Sequence, residues 1–193
     1  MKRFFIGASV LIGTLLFALG QAEAAKSCPK KGGALRVGLI GDIRNLDPFR
    51  AGAISAKVHM NIFESLTRIL PDGEIAPALA TSWKMLDDKT WRFQLRKGVT
   101  FHSGTPFNAG TVKWNVETQL NADKPGKAYA ILKGLIKEVR VVDDHTVDIQ
   151  LIRPYAPFVT FVTTSNEAFG QRDPVKVKEL GEKFGTTPSG TGP

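Results

Sequence analysis

The sequence predicts a mixed α/β or α+β fold. Two strand-like stretches alternate strictly: Trp91, Phe93 and Leu95 against Arg92, Gln94 and Arg96, and Val147, Ile149 and Leu151 against Asp148 and Gln150. Period two puts one set of side chains on each face of a sheet. Two other stretches carry apolar residues at spacing four: Val58, Ile62 and Leu66, and Val112, Val116 and Leu120. That spacing lays a stripe along one face of a helix. The 42% hydrophobic and 23% charged residues among 193 fit a folded domain, or one domain with part of another. They exclude wholesale disorder and collagen-like repetition. A single Cys, Cys28, can form neither an internal disulfide nor a Cys-rich zinc site.

The first residues are an address. Met1–Lys2–Arg3 is basic, residues 4–19 are uncharged and almost wholly apolar, and Gln21–Ala22–Glu23–Ala24–Ala25 places small residues as signal peptidase prefers. The apolar run is short for a membrane span of roughly 20 residues. The expectation is a secretory signal peptide over residues 1–24 and a periplasmic product. Cleavage removes Lys2, Arg3 and Glu23 and lowers the net charge of +8 by one. A lipid-modified Cys28 is the alternative, but Lys26 stands where a small residue belongs, and residues 26–33 read as a tether.

In order, residues 35–40 read as an opening strand and residues 41–50 as a loop around Leu46–Asp47–Pro48. Ser55 is suited to cap the helix carrying Val58, Ile62 and Leu66, with Met60 and Phe63 near the edges of its stripe. Pro71–Asp72–Gly73 is a turn. The strand at 91–96 turns at Lys97–Gly98, residues 99–102 resume extended structure, and Ser103–Gly104–Thr105–Pro106 turns again. Asn108 is a plausible cap for the second helix. Residues 138–142 and 147–151 flank Asp143–Asp144–His145–Thr146 as a hairpin. A further apolar stretch follows at 158–163, and the Gly- and Pro-rich residues 185–193 form no regular element unaided.

The positive charge does not imply nucleic acid. Lys and Arg are scattered among acids, and no zinc-finger or RNA-binding aromatic motif is present. Catalytic constellations are also missing. His59, His102 and His145 lie at no metal-ligand spacing, there is no Gly-x-Ser-x-Gly elbow, and Asp87–Asp88 and Asp143–Asp144 read as turn acids. The expectation is no catalytic residue, no metal and no cofactor.

Gly33–Ala34–Leu35–Arg36–Val37–Gly38, Asn45–Leu46–Asp47–Pro48, Asn61–Ile62–Phe63–Glu64–Ser65–Leu66 and the Pro77-x-Leu79-Ala80-x-Ser82-Trp83 segment together resemble the extracellular solute-binding proteins of the peptide and nickel class, family 5. The strongest is the run from Trp91 through Leu95–Arg96, Gly98–Val99, Phe101–His102 and Gly104 to Pro106–Phe107. Asn108–Ala109 with Val112 follows in register, although Gly110 and Thr111 stand where an acid pair is usual. Residues 141–147, Arg153–Pro154, Ala156–Pro157–Phe158 and Gly190–Thr191–Gly192–Pro193 continue the likeness.

The resemblance implies a periplasmic-binding-protein type II-like clamp that closes on its ligand by hinge motion. Residues 25–63 and 164–193 would belong to a first, mixed-sheet lobe, and residues 64–163 to an inserted small α+β accessory lobe. The chain would be an N-terminal part with the second lobe missing, so binding by this part alone would be weak or absent. The implied function is the non-catalytic solute-binding component of an ABC importer for di- or oligopeptides, working as a monomer with a membrane permease. Glutathione, nickel complexes, haem and sugars stay open as ligands. The ligand segment would be Arg50, Ala51, Gly52, Ala53 and Ile54, offering backbone groups to an extended peptide, with Tyr129 packing on the ligand. An exported hydrolase and an envelope chaperone-like module are the alternatives.

Overall fold

The computed structural model describes residues 32–34, 36–50, 52–122, 129–163 and 169–193, without the side chains of residues 53, 56 and 129–131. The signal segment and Cys28 lie outside the described residues. Residues 36–40 hold no strand, where one was expected over 35–40. A strand exists through its ladder, and among the described residues no strand pairs with this stretch. Ile40 is fully exposed.

Helix α1 spans Ala53–Ile62. Its N-cap is Gly52, in extended conformation and without a side-chain cap bond. Ser55 is therefore not the cap. It sits one turn in, buried, and its backbone N–H donates to the Gly52 carbonyl at 2.9 Å. The buried line is Ser55, His59 and Phe63, whereas Val58 and Ile62 are only half-buried and Leu66 lies beyond the helix. Both lines have spacing four, and the Phe63 ring decides between them. It packs edge-on to His59 at 6.1 Å and against Phe184 at 6.2 Å.

Strands β1 (Thr67–Ile69) and β2 (Ile75–Pro77) form an antiparallel pair around the expected Pro71–Asp72–Gly73 turn, with Gly73 at φ +90°. Left-handed φ is the conformation glycine adopts without cost. Strands β3 (Ala80–Met85), β4 (Thr90–Leu95), β5 (Ile136–Asp143) and β6 (Thr146–Leu151) form an antiparallel sheet in the order β3-β4-β6-β5. Phe93 faces Val147 and Trp91 faces Ile149 across the ladder. On the opposite face Arg92 grips Asp148 through Nε and Nη2, each at 2.7 Å. That pairing lets Asp148 be buried on a strand that is buried along most of its length. In residues 99–102 an isolated antiparallel bridge joins Thr100 to Pro106, short of a regular strand.

Helix α2 (Ala109–Leu120) starts as expected at Asn108. Its Oδ1 accepts from Thr111 N–H at 3.0 Å while Thr111 Oγ1 accepts from Asn108 N–H, a reciprocal capping box. Val112 and Val116 are buried against β5 and β6. Helix α3 (Tyr129–Leu135) leads into β5. Helix α4 (Phe158–Phe161) carries Phe158, which touches Trp91, Phe93 and Phe169 within 6.4 Å. This aromatic chain joins the sheet to the segment that precedes α5 (Pro174–Leu180).

Residues 185–193 are irregular, as expected, apart from Gly185, which ends a 3-10 turn over Gly181–Gly185. They are nevertheless fastened. His102 N–H donates to Gly190 O at 2.9 Å, His102 Nε2 donates to Gly192 O at 2.9 Å, and Gly192 N–H donates to Ile62 O at 2.9 Å. Asp173 caps α5 through Val175 N–H and also accepts from the hydroxyls of Ser103 and Ser189.

Candidate functional site

The loop before α1 is built by its own polar side chains. Asn45 Oδ1 accepts from Asp47 N–H at 2.7 Å, and Asp47 Oδ1 accepts from Phe49 N–H at 3.0 Å. Arg50 N–H closes the turn onto Asp47 O at 3.0 Å, and Leu46 N–H ties the loop to Gly185 O at 2.7 Å. These are the side-chain-to-backbone bonds that Asn and Asp make in place of regular structure. Gly170 packs under Pro48, where a Cβ would meet the ring at 3.2 Å.

Arg172 lies under this loop, with 5% of its surface exposed. Its Nη1 donates to Asp47 Oδ2 at 3.2 Å and Oδ1 at 3.4 Å. Its Cζ sits 3.6 Å from the centre of the Phe49 ring and 5.5 Å from that of Trp114. Asn115 holds its backbone at both ends: the side-chain amide donates to Arg172 O at 3.0 Å, and Oδ1 accepts from Arg172 N–H at 3.1 Å. Burial lowers the guanidinium pKa to about 10 and the nearby Arg50 adds to that fall, while Asp47 opposes it. Nε and Nη2 of Arg172 are buried and have no hydrogen-bond partner among the described residues.

A cleft of about 160 Å³ opens over this pair, lined by Asn45, Phe49, Arg50, Gln119, Arg172 and Glu182 among others. Of the sequence-predicted ligand residues, Arg50 lines the cleft and is exposed. Gly52 is exposed at the N-terminus of α1, and Ile54 is half-buried within it. Ala53 opens α1, with its side chain outside the described residues, and Ala51 lies outside them altogether. Tyr129 opens α3, and its side chain too is not described. The structure thus keeps residues 50, 52 and 54 on one turn-to-helix segment and puts residue 129 on a different element. Because residues 36–40 form no strand, the loop does not sit at the carboxyl end of a described strand.

Sequence reasoning missed Arg172. Its partner stands 125 residues away, and the only local signal is a lone Arg between Phe169 and Pro174. Among the described residues no three of His, Cys, Asp and Glu gather as metal ligands, and no helix is long and apolar enough to cross a membrane.

Comparison with known proteins supplies the frame. Residues 74–193 match the family described as bacterial extracellular solute-binding proteins, family 5 Middle. The chain is 32% identical over 181 residues to the glutathione-binding protein GsiB of Salmonella choleraesuis (strain SC-B67), covering 92% of this chain and 35% of that protein. The fold is similar to the periplasmic binding protein DppA from Helicobacter pylori in complex with the peptide STSA, with TM-score 0.68 and 28% identity over 81% of this chain and 34% of that one. It is also similar to NikZ from Campylobacter jejuni in complex with Ni(L-His), with TM-score 0.69 and 27% identity over 79% of this chain and 30% of that one. The chain spans about a third of the length of the curated relatives it matches.

Proposed function

Since the chain belongs to the bacterial extracellular solute-binding proteins of family 5, we propose that it serves a periplasmic ABC importer by capturing a small peptide-like solute and passing it, chemically unchanged, to a membrane permease. The observation that carries this reading is the family match over residues 74–193. The relatives named above bind glutathione, a peptide and a nickel–histidine complex. All three ligands are small, polar and built on amino acids, and they favour a peptide-class solute here.

In this reading residues 50–54 line the solute site and Tyr129 packs on the solute. Gly52 is exposed at the start of a helix and a Cβ there would meet nothing within 4 Å. A solute backbone could therefore approach closely, and backbone pairing tolerates varied side chains. The reading also assigns residues 25–63 and 164–193 to one lobe and residues 64–163 to an accessory lobe. The Asp47–Arg172 pair and the Ile62–Gly192 hydrogen bond support this, since each ties the opening segment to the closing one across the intervening residues. A single wall buries too little of a peptide for tight binding, so residues 1–193 alone should bind peptides only weakly.

Calorimetry tests the proposal on the protein at the length its gene encodes, with glutathione, dipeptides, tripeptides and nickel–histidine as probes. One of these should bind saturably, and Gly52→Trp should abolish the heat. No saturable heat from any of the probes would sink the peptide-class reading.

A further inference from the structure

We propose that the cleft above Arg172 is a carboxylate-binding pocket in which the Nε and Nη2 edge of Arg172 takes the carboxylate as a two-pronged fork. The same edge of another arginine already holds a carboxylate elsewhere in the molecule. Arg92 uses Nε and Nη2 together to hold both oxygens of Asp148, each at 2.7 Å. This is the planar, parallel pairing that matches guanidinium to carboxylate. The same edge of Arg172 is buried and carries no hydrogen-bond partner among the described residues. Asp47 meets only Nη1, at 3.2 and 3.4 Å, which leaves the better edge unused.

Such an arrangement costs free energy. A buried donor without an acceptor forfeits its hydration and gains no bond in return. Arg172 is 5% exposed, and its backbone is fixed from both ends by Asn115 and its guanidinium face by Phe49. The side chain therefore cannot swing out to water without breaking those contacts. The pocket beside it has room for a small acid.

Charge separates this site from a plain salt bridge. Asp47 offsets one cation, and Arg50 at the cleft supplies a second. Glu182 also lines the cleft and opposes an incoming anion, so the site favours a small acid that reaches the floor over a bulky polyanion at the mouth. Both free nitrogens are covered as the chain stands. Entry thus displaces the side chains over this edge, and binding should be accompanied by a local shift of the loop at residues 45–50.

This proposal is independent of the solute-capture reading, because its probes include acids without a peptide bond. The experiment is titration of the 15N-labelled protein with acetate, succinate, Gly-Gly, Gly-Gly amide and inorganic phosphate at constant ionic strength. The Arg172 Nε–H resonance should move downfield and saturate with the carboxylates. Gly-Gly binding without its amide assigns the carboxylate to a peptide terminus, and acetate or succinate binding assigns it to a free acid. Arg172→Lys, which keeps the charge for Asp47 and lacks the fork, should weaken binding at least tenfold. Should that variant fail to fold, the wild-type Nε–H signal decides alone. An unmoved Nε–H resonance, phosphate binding without carboxylate binding, or unchanged affinity in a folded Arg172→Lys protein would each overturn the proposal.

Discussion

His59 shows how one residue sets a pH response. It is 4% exposed, and its ring lies edge-on to Phe63. Neither ring nitrogen makes a well-formed hydrogen bond among the described residues. Burial pushes its pKa below the ordinary value near 6.5, while the Asn45 backbone and the Asp47 charge pull the other way. The unfolded chain therefore takes up a proton at higher pH than the folded one. The stability that the neutral His59 contributes is full above about pH 6.5 and is lost as pH falls through that value toward the lower folded pKa. Urea midpoints measured at pH 7.5 and pH 5 should show a fall at the lower pH, and His59→Leu should reduce it. An equal fall in wild type and variant would assign the effect elsewhere.

At the scale of elements, two junctions carry more than their size suggests. Asn108 and Thr111 satisfy two donors at the start of α2. Asn108→Ala should cost about 1 kcal/mol of unfolding free energy, read from the denaturant midpoint at unchanged slope. The second junction is the docking of the tail on the end of α1. A Cβ at Gly190 would lie 2.0 Å from the Ile62 carbonyl oxygen, a backbone atom that cannot rotate away. Gly190→Ala should thus detach residues 189–192 from α1, and the amide of Gly192 should lose its protection from hydrogen exchange. Retained protection there would show that the backbone shifts to absorb the methyl group.

For the whole molecule, the reading of the N-terminal address predicts that the exported protein begins at Ala25 or Lys26, which intact-mass measurement of a periplasmic extract can check. Much of the described architecture was legible in residue pattern. The β4 strand, the β5–β6 hairpin, the Asn108 cap and the glycine turns all follow from rules that act within about ten residues. Strands β1, β2 and β3 did not, because the first two are three residues long and β3 is an edge strand with most of its residues exposed. The α1 face was misread because spacing four alone cannot choose between Val58–Ile62 and His59–Phe63, and the choice falls to Phe184, more than a hundred residues away. The predicted ligand segment was visible as a loop running into a helix. The buried Arg172 beneath it was not, since pairing with Asp47 is a property of the folded chain.

The attachment of Gly192 to Ile62 has a consequence for biosynthesis. The carbonyl at the end of α1 receives its donor from a residue translated 130 positions later. At the roughly 5–20 residues per second of the ribosome, α1 waits on the order of ten seconds for that donor. During this interval the carbonyl at the end of α1 has only water as its partner in place of the Gly192 amide.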